Sequence, residues 1–198
     1  MNTRKKILLL LTVLLLVASG FCYASNESES LFVQGNDCFY NNQDSLACYY
    51  YGQASRLDSS SIILKEKYSN ELLKTGINNA LAIQLLREIA DFYVQERDWA
   101  EVYSIYEKIY KFTGSYLDAN ILATAIFYDG VAKEDSVKMQ GAEKIWTYLL
   151  HQAFLKHEIT RALLLINSKI QARYNALLIF SHPLQLPSLE ACWNSSKA

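Results

Sequence analysis

The chain has 198 residues, of which 51% are apolar, and this is long enough to bury one continuous core. Two prolines, seven glycines and no alternation of apolar residues with a period of two favour an all-α fold over a sheet. A formal net charge of −1 provides no basic surface, so we expect neither nucleic acid nor an anionic membrane surface as a partner.

Residues 1–24 have the pattern of a signal peptide. Three basic residues at 4–6 precede an apolar run at 7–17 that only Thr12 interrupts, and residues 22–24 place small side chains at the two positions that a signal peptidase reads. We therefore expect an exported protein of the periplasm or the cell surface. The apolar stretch 7–24 is nearly long enough to span a membrane, so an uncleaved anchor that holds the protein near the membrane is the alternative.

Two short amphipathic helices are predicted on either side of a polar break at 41–44. A glycine inside a helix costs about 1 kcal/mol relative to alanine, so Gly35 indicates a close contact with a second helix. Ala47, Tyr51 and Ala54 fall on one stripe of the helix after the break. Small residues allow the two backbones to approach, and Tyr51 fills the space beside them.

This pattern resembles the tetratricopeptide repeat, a helical hairpin of thirty-four residues. The matching residues are Leu31, Gly35, Ala47, Tyr51 and Ala54, whereas Gln34, Cys38 and Ser59 depart from the signature. The resemblance implies stacked α-hairpins that form a right-handed α-solenoid and bind a protein or peptide, without chemistry of their own.

The next helices are predicted at 62–74, ended by Gly76, and at 80–95, capped by Asn78 or Asn79. A second copy of the repeat follows, with Asp98 and Glu101 as a capping box at its turn. Its matching residues are Leu86, Ile89, Ala90, Tyr93, Trp99 and Tyr106, whereas Val102 and Ile109 stand where alanines are usual. The copies are not separated by a whole number of repeats, so we predict an irregular array.

A further helix should begin at Ser115, where Asp118 completes a capping pattern, and end near Tyr128. Tyr128, Asp129, Gly130, Lys133 and Asp135, followed by Ala142 and Trp146, resemble the turn of the Sel-like repeat, although residues 136–141 are additional. A helix to about 156 and a last helix at 158–180 bring the total to about eight antiparallel helices. Domain 25–180 would then be followed by an extended tail, 181–198, because two prolines prevent helix there.

The alternative architecture is an irregular helical bundle, in which these spacings record only the needs of a core. Three cysteines remain after export, in a compartment that permits disulfides. We predict a Cys38–Cys48 bridge, because the two lie almost equally far from the turn of the first hairpin. Buried free cysteines are the alternative. If the Cys38–Cys48 bridge forms, Cys192 is either unpaired or bonded to another chain.

The resemblance also selects candidate binding residues, because the first helix of each tetratricopeptide hairpin lines the concave face. Transferred position by position, it gives Phe32, Asn36, Tyr40, Arg87, Asp91 and Gln95. Polar side chains of this kind suit the backbone or carboxylate of an extended peptide, and the aromatics add contact area. Alternatively, Phe32 belongs to the core, and Arg87 and Asp91, four residues apart, pair only with each other.

No nucleophile elbow, phosphate loop, zinc-protease motif or dinucleotide fingerprint occurs in the sequence. His151 and His157 are six residues apart and fall on different sides of a helix, so we expect no metal, no cofactor and no enzyme. The leading hypothesis is an exported scaffold that binds a protein or peptide in the cell envelope, in secretion or pilus assembly. The alternatives are a cysteine-bridged Sel-like protein that binds or hydrolyses a cell-wall or antibiotic ligand, and a structural subunit linked through Cys192.

Overall fold

The computed structural model describes residues 26–156 and 158–181, and every regular element in these ranges is an α-helix. Helix α1 spans 26–40, and the others are α2 (Asp44–Leu57), α3 (Ile62–Thr75), α4 (Asn79–Glu96), α5 (Trp99–Thr113), α6 (Tyr116–Ala132), α7 (Ser136–Leu155) and α8 (Ile159–Ser181). The predicted all-α fold of about eight helices is confirmed. The predicted signal peptide at 1–24 and the tail beyond Ser181 lie outside the described residues.

The chain divides into two compact units, with the boundary inside α4 between Leu86 and Arg87. In the first unit, α1 packs on α2 and α2 packs on α3. In the second unit, α5 packs on α6, α6 on α7 and α7 on α8, and α6 also contacts α8. Helices that are neighbours in sequence are therefore packed as adjacent pairs, as a helical-repeat fold requires.

Most helices end where the turn chemistry predicts. Asp98 accepts a hydrogen bond from the Glu101 backbone N–H and caps α5, and Gly76 ends α3 in the left-handed conformation with φ 69°. Asn78 Oδ1 accepts from the Leu81 N–H at the start of α4. Asp44 is the first helical residue of α2, and its carboxylate pairs with Lys74 of α3 at 2.6 Å.

The first hairpin is built on the contact that Gly35 permits. A Cβ atom at this position would lie 2.7 Å from both Cδ1 and Cε1 of Tyr51, so no larger residue fits without displacing that ring. Tyr51 is fully buried, and so are Ala47 and Ala54 on the same face of α2. The predicted role of the glycine and of the small-residue stripe is confirmed.

The predicted Cys38–Cys48 disulfide is not formed, and both residues are buried free thiols. Cys38 packs with Ala47 and Tyr51, whereas Cys48 packs with Leu72 and other residues of α3 and α4. Successive residues of a helix point about 100° apart, so Cys48 faces away from α1 when its neighbour Ala47 faces it. The predicted bridge rested on the distance of each cysteine from the turn, and the direction in which each side chain points was not included. Burial raises the pKa of the Cys48 thiol.

Helix α6 is the centre of the second unit, and most of its side chains are buried around its whole circumference. Buried polar groups join it to its neighbours. Asn120 accepts a hydrogen bond from the Trp146 indole N–H of α7 at 2.9 Å and donates to the Ser168 hydroxyl of α8 at 3.0 Å. Asn175 of α8 donates to the Tyr128 hydroxyl at 2.9 Å. We call these five residues the polar seam of α6.

The turn between α6 and α7 is held by an ion-pair cluster. Asp129, whose side chain is 3% exposed, accepts from Lys133 at 2.7 Å and also pairs with Lys138. Burial would raise the pKa of Asp129, but the two ammonium groups lower it below its usual value. A Cβ atom at Gly130 would lie 3.0 Å from the Met139 backbone nitrogen, so the chain also needs a glycine here.

Candidate functional site

A cavity of about 390 Å³ opens in the second unit, between the end of α4 that belongs to this unit and helices α5 and α6. Its lining consists of Arg87, Asp91, Tyr106, Ser115, Leu117, Asp118 and Ile121. The cavity lies within the 300–1,000 Å³ typical of ligand pockets, and it combines apolar walls with a few converging polar groups.

The polar floor of this cavity is the pair formed by Arg87 and Asp118. One guanidinium nitrogen, Nη2, donates to both carboxylate oxygens of Asp118, at 2.9 and 3.1 Å. The Thr113 hydroxyl donates to Oδ2 of the same carboxylate at 2.7 Å. Asp118 is buried with 3% of its side chain exposed, whereas 45% of the Arg87 side chain is exposed. The carboxylate therefore holds the arginine in place, with much of its side chain open to solvent.

Tyr106 lines the same cavity and is completely buried. Burial raises the pKa of its hydroxyl well above its ordinary value, and the negative charges of Asp91 and Asp118 raise it further. Arg87 acts in the opposite direction but does not cancel these effects. The phenol therefore remains protonated at neutral pH, and it contributes a neutral polar group to the cavity.

These groups suit recognition better than catalysis. Both oxygens of Asp118 already accept hydrogen bonds, so this carboxylate is poorly placed to act as a general base. The Arg87 guanidinium carries five N–H groups, and its half-exposed side chain can bind a peptide carbonyl or a carboxylate beside Asp118. Asp91 adds a negative charge at the same cavity, so a cationic group can also be accommodated.

Two of the six binding residues predicted from the sequence line this cavity. Arg87 and Asp91 are one helical turn apart on α4, and both line it. The alternative, in which Arg87 pairs with Asp91 alone, does not hold, because Arg87 forms an ion pair with Asp118 of α6. Gln95 is exposed one turn further along α4 and is not among the lining residues.

The other three predicted residues belong to the first unit, and two of them support the core. The ring of Phe32 packs against Tyr51 at a centroid distance of 5.9 Å, and Asn36 accepts a hydrogen bond from the Tyr51 hydroxyl at 2.8 Å. These contacts favour the structural interpretation of Phe32 and extend it to Asn36. Tyr40 is 78% exposed and is the one member of this trio that is free to contact a partner.

The residues of α5 and α6 at the cavity were missed by the sequence analysis. Asp118 was predicted to be half of a capping box, but its carboxylate binds Arg87. Ser115 caps α6, and its hydroxyl accepts a hydrogen bond from the Leu117 N–H. A signal was available: Asp118 and Asn120 are polar residues near the start of a helix that is otherwise almost entirely apolar. Polar residues in a helix buried on all sides need a specific partner.

The described residues of the second unit also line other cavities. One of about 600 Å³ is lined by Gln140, Glu143, Lys144, Thr147, Tyr148 and His151, all of them from α7, so the described residues supply only one wall of it. The other, of about 170 Å³, lies between α7 and α8. Within residues 26–156 and 158–181, no three or more His, Cys, Asp or Glu side chains are grouped to hold a metal ion. No helix of that part of the chain has the length and apolarity to span a membrane.

No protein-family model matches this chain, and no curated protein is similar to it at a significant level. What is established is therefore the class of fold, an all-α protein whose eight described helices are consistent with a helical-repeat architecture.

Proposed function

We propose that this protein is a tetratricopeptide- or Sel-like scaffold that binds a protein or peptide partner and is not an enzyme. The observation that carries the proposal is the cavity that Arg87 and Asp91 of α4, Asp118 of α6 and the buried Tyr106 of α5 line together. An arginine that is oriented by a buried carboxylate and still exposed can bind a peptide carbonyl or carboxylate with little loss of side-chain entropy. The contact between Gly35 and Tyr51 supports the repeat family, as does the close approach at Gly130.

The partner should be met outside the cytoplasm, in secretion, pilus assembly or another envelope process. This part of the proposal rests on the signal-peptide pattern at 1–24 and on analogy with other helical-repeat scaffolds. Determining the amino terminus of the mature protein tests it. A mature chain that begins at Ser25 supports export with cleavage, and a chain that retains residues 1–24 in the cytoplasmic fraction contradicts it.

The cavity is tested by neutralising the ion pair on both sides at once. In the double variant Arg87→Gln, Asp118→Asn no buried charge is left alone, and the amides can still hydrogen bond, so the fold should be retained. A matched control is Glu107→Gln, Lys111→Gln, which removes an exposed ion pair of α5. Partners captured from envelope extract by the wild-type protein are identified and purified, and their affinities for all three proteins are measured.

We expect the control to bind like the wild type and the cavity variant to bind at least tenfold more weakly. Equal affinity of the cavity variant, together with an unchanged unfolding transition, would show that the partner binds elsewhere.

A second candidate function is binding or hydrolysis of a cell-wall or antibiotic ligand, since two carboxylates and a tyrosine hydroxyl meet in one cavity. Titration with soluble peptidoglycan fragments, followed by analysis of the products, tests it. Binding without turnover would favour a ligand-binding role. No heat of binding with any fragment would exclude this candidate for the fragments tried.

A further inference from the structure

The cavity between α4, α5 and α6 is lined by more negative than positive charge. Its lining includes one cation, Arg87, and two carboxylates, Asp91 and Asp118. Arg87 and Asp118 form an ion pair, so their charges largely cancel, and the lining residues as a set carry one net negative charge. The amino end of α6 adds a partial positive charge of about half a unit, which does not offset a full carboxylate. The charge of the cavity therefore favours a cationic ligand over an anionic one.

The buried Tyr106 hydroxyl experiences a field of the same sign. Burial is the largest cause that raises the pKa of this hydroxyl, and the charge of Asp91 is the next largest. The charge of Arg87 lowers the same pKa, but its effect is weaker than that of Asp91. At the tyrosine side of the cavity the negative charge of Asp91 thus outweighs the positive charge of Arg87, in agreement with the charge count.

The apolar part of the cavity suits the stem of a long cationic side chain. Leu117 is partly buried and Ile121 is buried, and both line the cavity from α6. Lysine and arginine carry their charge at the end of an apolar stem that packs on surfaces of this kind. A volume of about 390 Å³ is near the lower end of the range for ligand pockets, so it suits one side chain with its adjoining backbone.

Asp91 and Arg87 can bind such a segment together. They are one turn apart on α4 and line the cavity from the same helix. A carboxylate offers about four acceptor positions on its two oxygens, so Asp91 can accept from a ligand in addition to its contacts within the protein. We propose that Asp91 selects a lysine or arginine side chain of the partner, while the half-exposed Arg87 donates to a backbone carbonyl beside it. This inference rests on the proposed function and names the chemistry of the partner segment.

The same charges disfavour a carboxylate as the group that enters the cavity. The Arg87 guanidinium is already neutralised by Asp118, which is buried and cannot move its charge into solvent. An anionic ligand would meet the like charge of Asp91 without a compensating cation among the other lining residues. A neutral backbone carbonyl accepts from Arg87 without this repulsion. Asp91 is therefore the residue that determines the specificity of the cavity.

Four synthetic peptides test the selection directly. Each is a pentapeptide with alanine at four positions and lysine, arginine, glutamate or norleucine at the centre, and both ends are blocked so that only the central side chain differs in charge. Norleucine keeps an apolar stem like that of lysine but lacks the ammonium group. The peptides are titrated into the full-length, isotope-labelled protein, and the shifts of its amide resonances give each Kd.

We expect the lysine or the arginine peptide to bind at least tenfold more tightly than the glutamate and norleucine peptides. In Asp91→Asn this preference should fall below about twofold. The matched control is Glu96→Gln, which removes an exposed carboxylate elsewhere on α4 and should keep the full preference. Urea unfolding checks that Asp91→Asn is folded, and if it is not, the ranking of the peptides on the wild type decides.

Three results would overturn the inference. They are equal affinities of the four peptides for the wild type, no binding of either cationic peptide, and a preference that persists in a folded Asp91→Asn variant. Tighter binding of the glutamate peptide would also overturn it, and would assign the cavity to a carboxylate.

The purified partner separates this inference from the proposed function. Its affinity for Asp91→Asn is measured beside that for the double variant Arg87→Gln, Asp118→Asn, and we expect each to bind it at least tenfold more weakly than the wild type does. A loss in the double variant without a loss in Asp91→Asn would overturn the cationic selection and leave the proposed binding site intact. Unchanged affinity in both variants would contradict the proposed function, and the inference with it.

Discussion

In the first unit two helices approach closely because a side chain is missing, whereas in the second unit helices are joined by buried polar groups. Gly35 leaves the space that the buried Tyr51 ring occupies, so the ring itself is held by shape, and the hydroxyl at its end donates to Asn36. Asn120, in contrast, is fully buried and satisfies both Trp146 and Ser168 by hydrogen bonds. Shape complementarity tolerates small adjustments, but a buried polar group without its partner costs its full desolvation energy. We therefore expect the polar seam to be the more sensitive region.

The largest effect is expected at the centre of the polar seam. Asn120→Ala leaves the Trp146 indole N–H and the Ser168 hydroxyl without their partner, at a cost of about 3 kcal/mol of unfolding free energy. Urea unfolding at neutral pH measures the loss. Asn167→Ala is the matched control, because Asn167 is exposed on α8, and it should change the free energy by less than about 0.5 kcal/mol. Similar losses in both variants would mean that the seam contributes no specific stability.

A smaller loss of unfolding free energy is expected on substitution of Gly35, and the sign of this change tests the shape-based account. Gly35→Ala gains about 1 kcal/mol of helix propensity but places a Cβ atom 2.7 Å from a ring that is fully buried. Overpacking of this kind costs about 1–3 kcal/mol, so we expect a net loss of up to about 2 kcal/mol in urea unfolding.

Gly141→Ala is the control for the same substitution, since no atom lies within 4 Å of a Cβ atom built there. It should stabilise the protein by up to about 1 kcal/mol. If both substitutions stabilised the protein, the ring of Tyr51 would have to move freely, and the shape-based account of the first unit would fail.

These two contacts also explain which parts of the structure were predictable. Gly35, Ala47 and Tyr51 lie within one hairpin, so their spacing along the chain already defines how they meet. Tyr128 and Asn175 are 47 residues apart, and Asn120 and Ser168 are 48 residues apart. No local pattern relates such residues, and only the packed helices bring them together.

The candidate site likewise contains residues that the sequence could predict and one that it could not. Arg87 and Asp91 are one turn apart on a single helix, so the repeat register selected both. Their partner Asp118 is 31 residues away from Arg87 and was assigned to a local cap instead. The cysteine prediction failed for a related reason, because Cys38 and Cys48 are almost equally far from the turn along the chain, but Cys48 packs toward α3 and α4.

The ion-pair turn of the second unit should show an intermediate effect that depends on pH. Asp129→Asn removes the charge that holds Lys133 and Lys138, and we expect a loss of about 1–2 kcal/mol at pH 7, since both lysines can return partly to water. The pKa of Asp129 is lowered in the folded state, so its stabilisation is present above the unfolded pKa of about 3.9 and disappears as the pH falls through the folded pKa.

The difference between the wild type and Asp129→Asn in urea unfolding should therefore narrow below about pH 4. A difference that stays constant from pH 7 to pH 3 would assign the effect to the altered shape of the turn and not to its charge.

The smallest effect belongs to the first unit and has the opposite sign. Glu71 is 4% exposed, and its Oε2 atom has no hydrogen-bond partner among the described residues. Burial raises its pKa; Lys74 partly opposes this, and Asp44 adds to it. The folded state therefore holds the proton more tightly than the unfolded chain does. Stability must fall as the pH rises from the ordinary value of 4.5 through the folded pKa, and the penalty is complete above it.

Glu71→Gln removes this penalty, so the variant should be more stable than the wild type at pH 7, by less than about 1 kcal/mol, with the advantage decreasing as the pH falls to 4.5. Glu66→Gln, at an exposed position of the same helix, is the control and should show no such dependence. Urea midpoints at the two pH values measure both. A stability advantage of Glu71→Gln that is the same at both pH values would mean that Glu71 stays ionised throughout. The first unit would then tolerate a buried charge, although the packing around it offers no compensating partner.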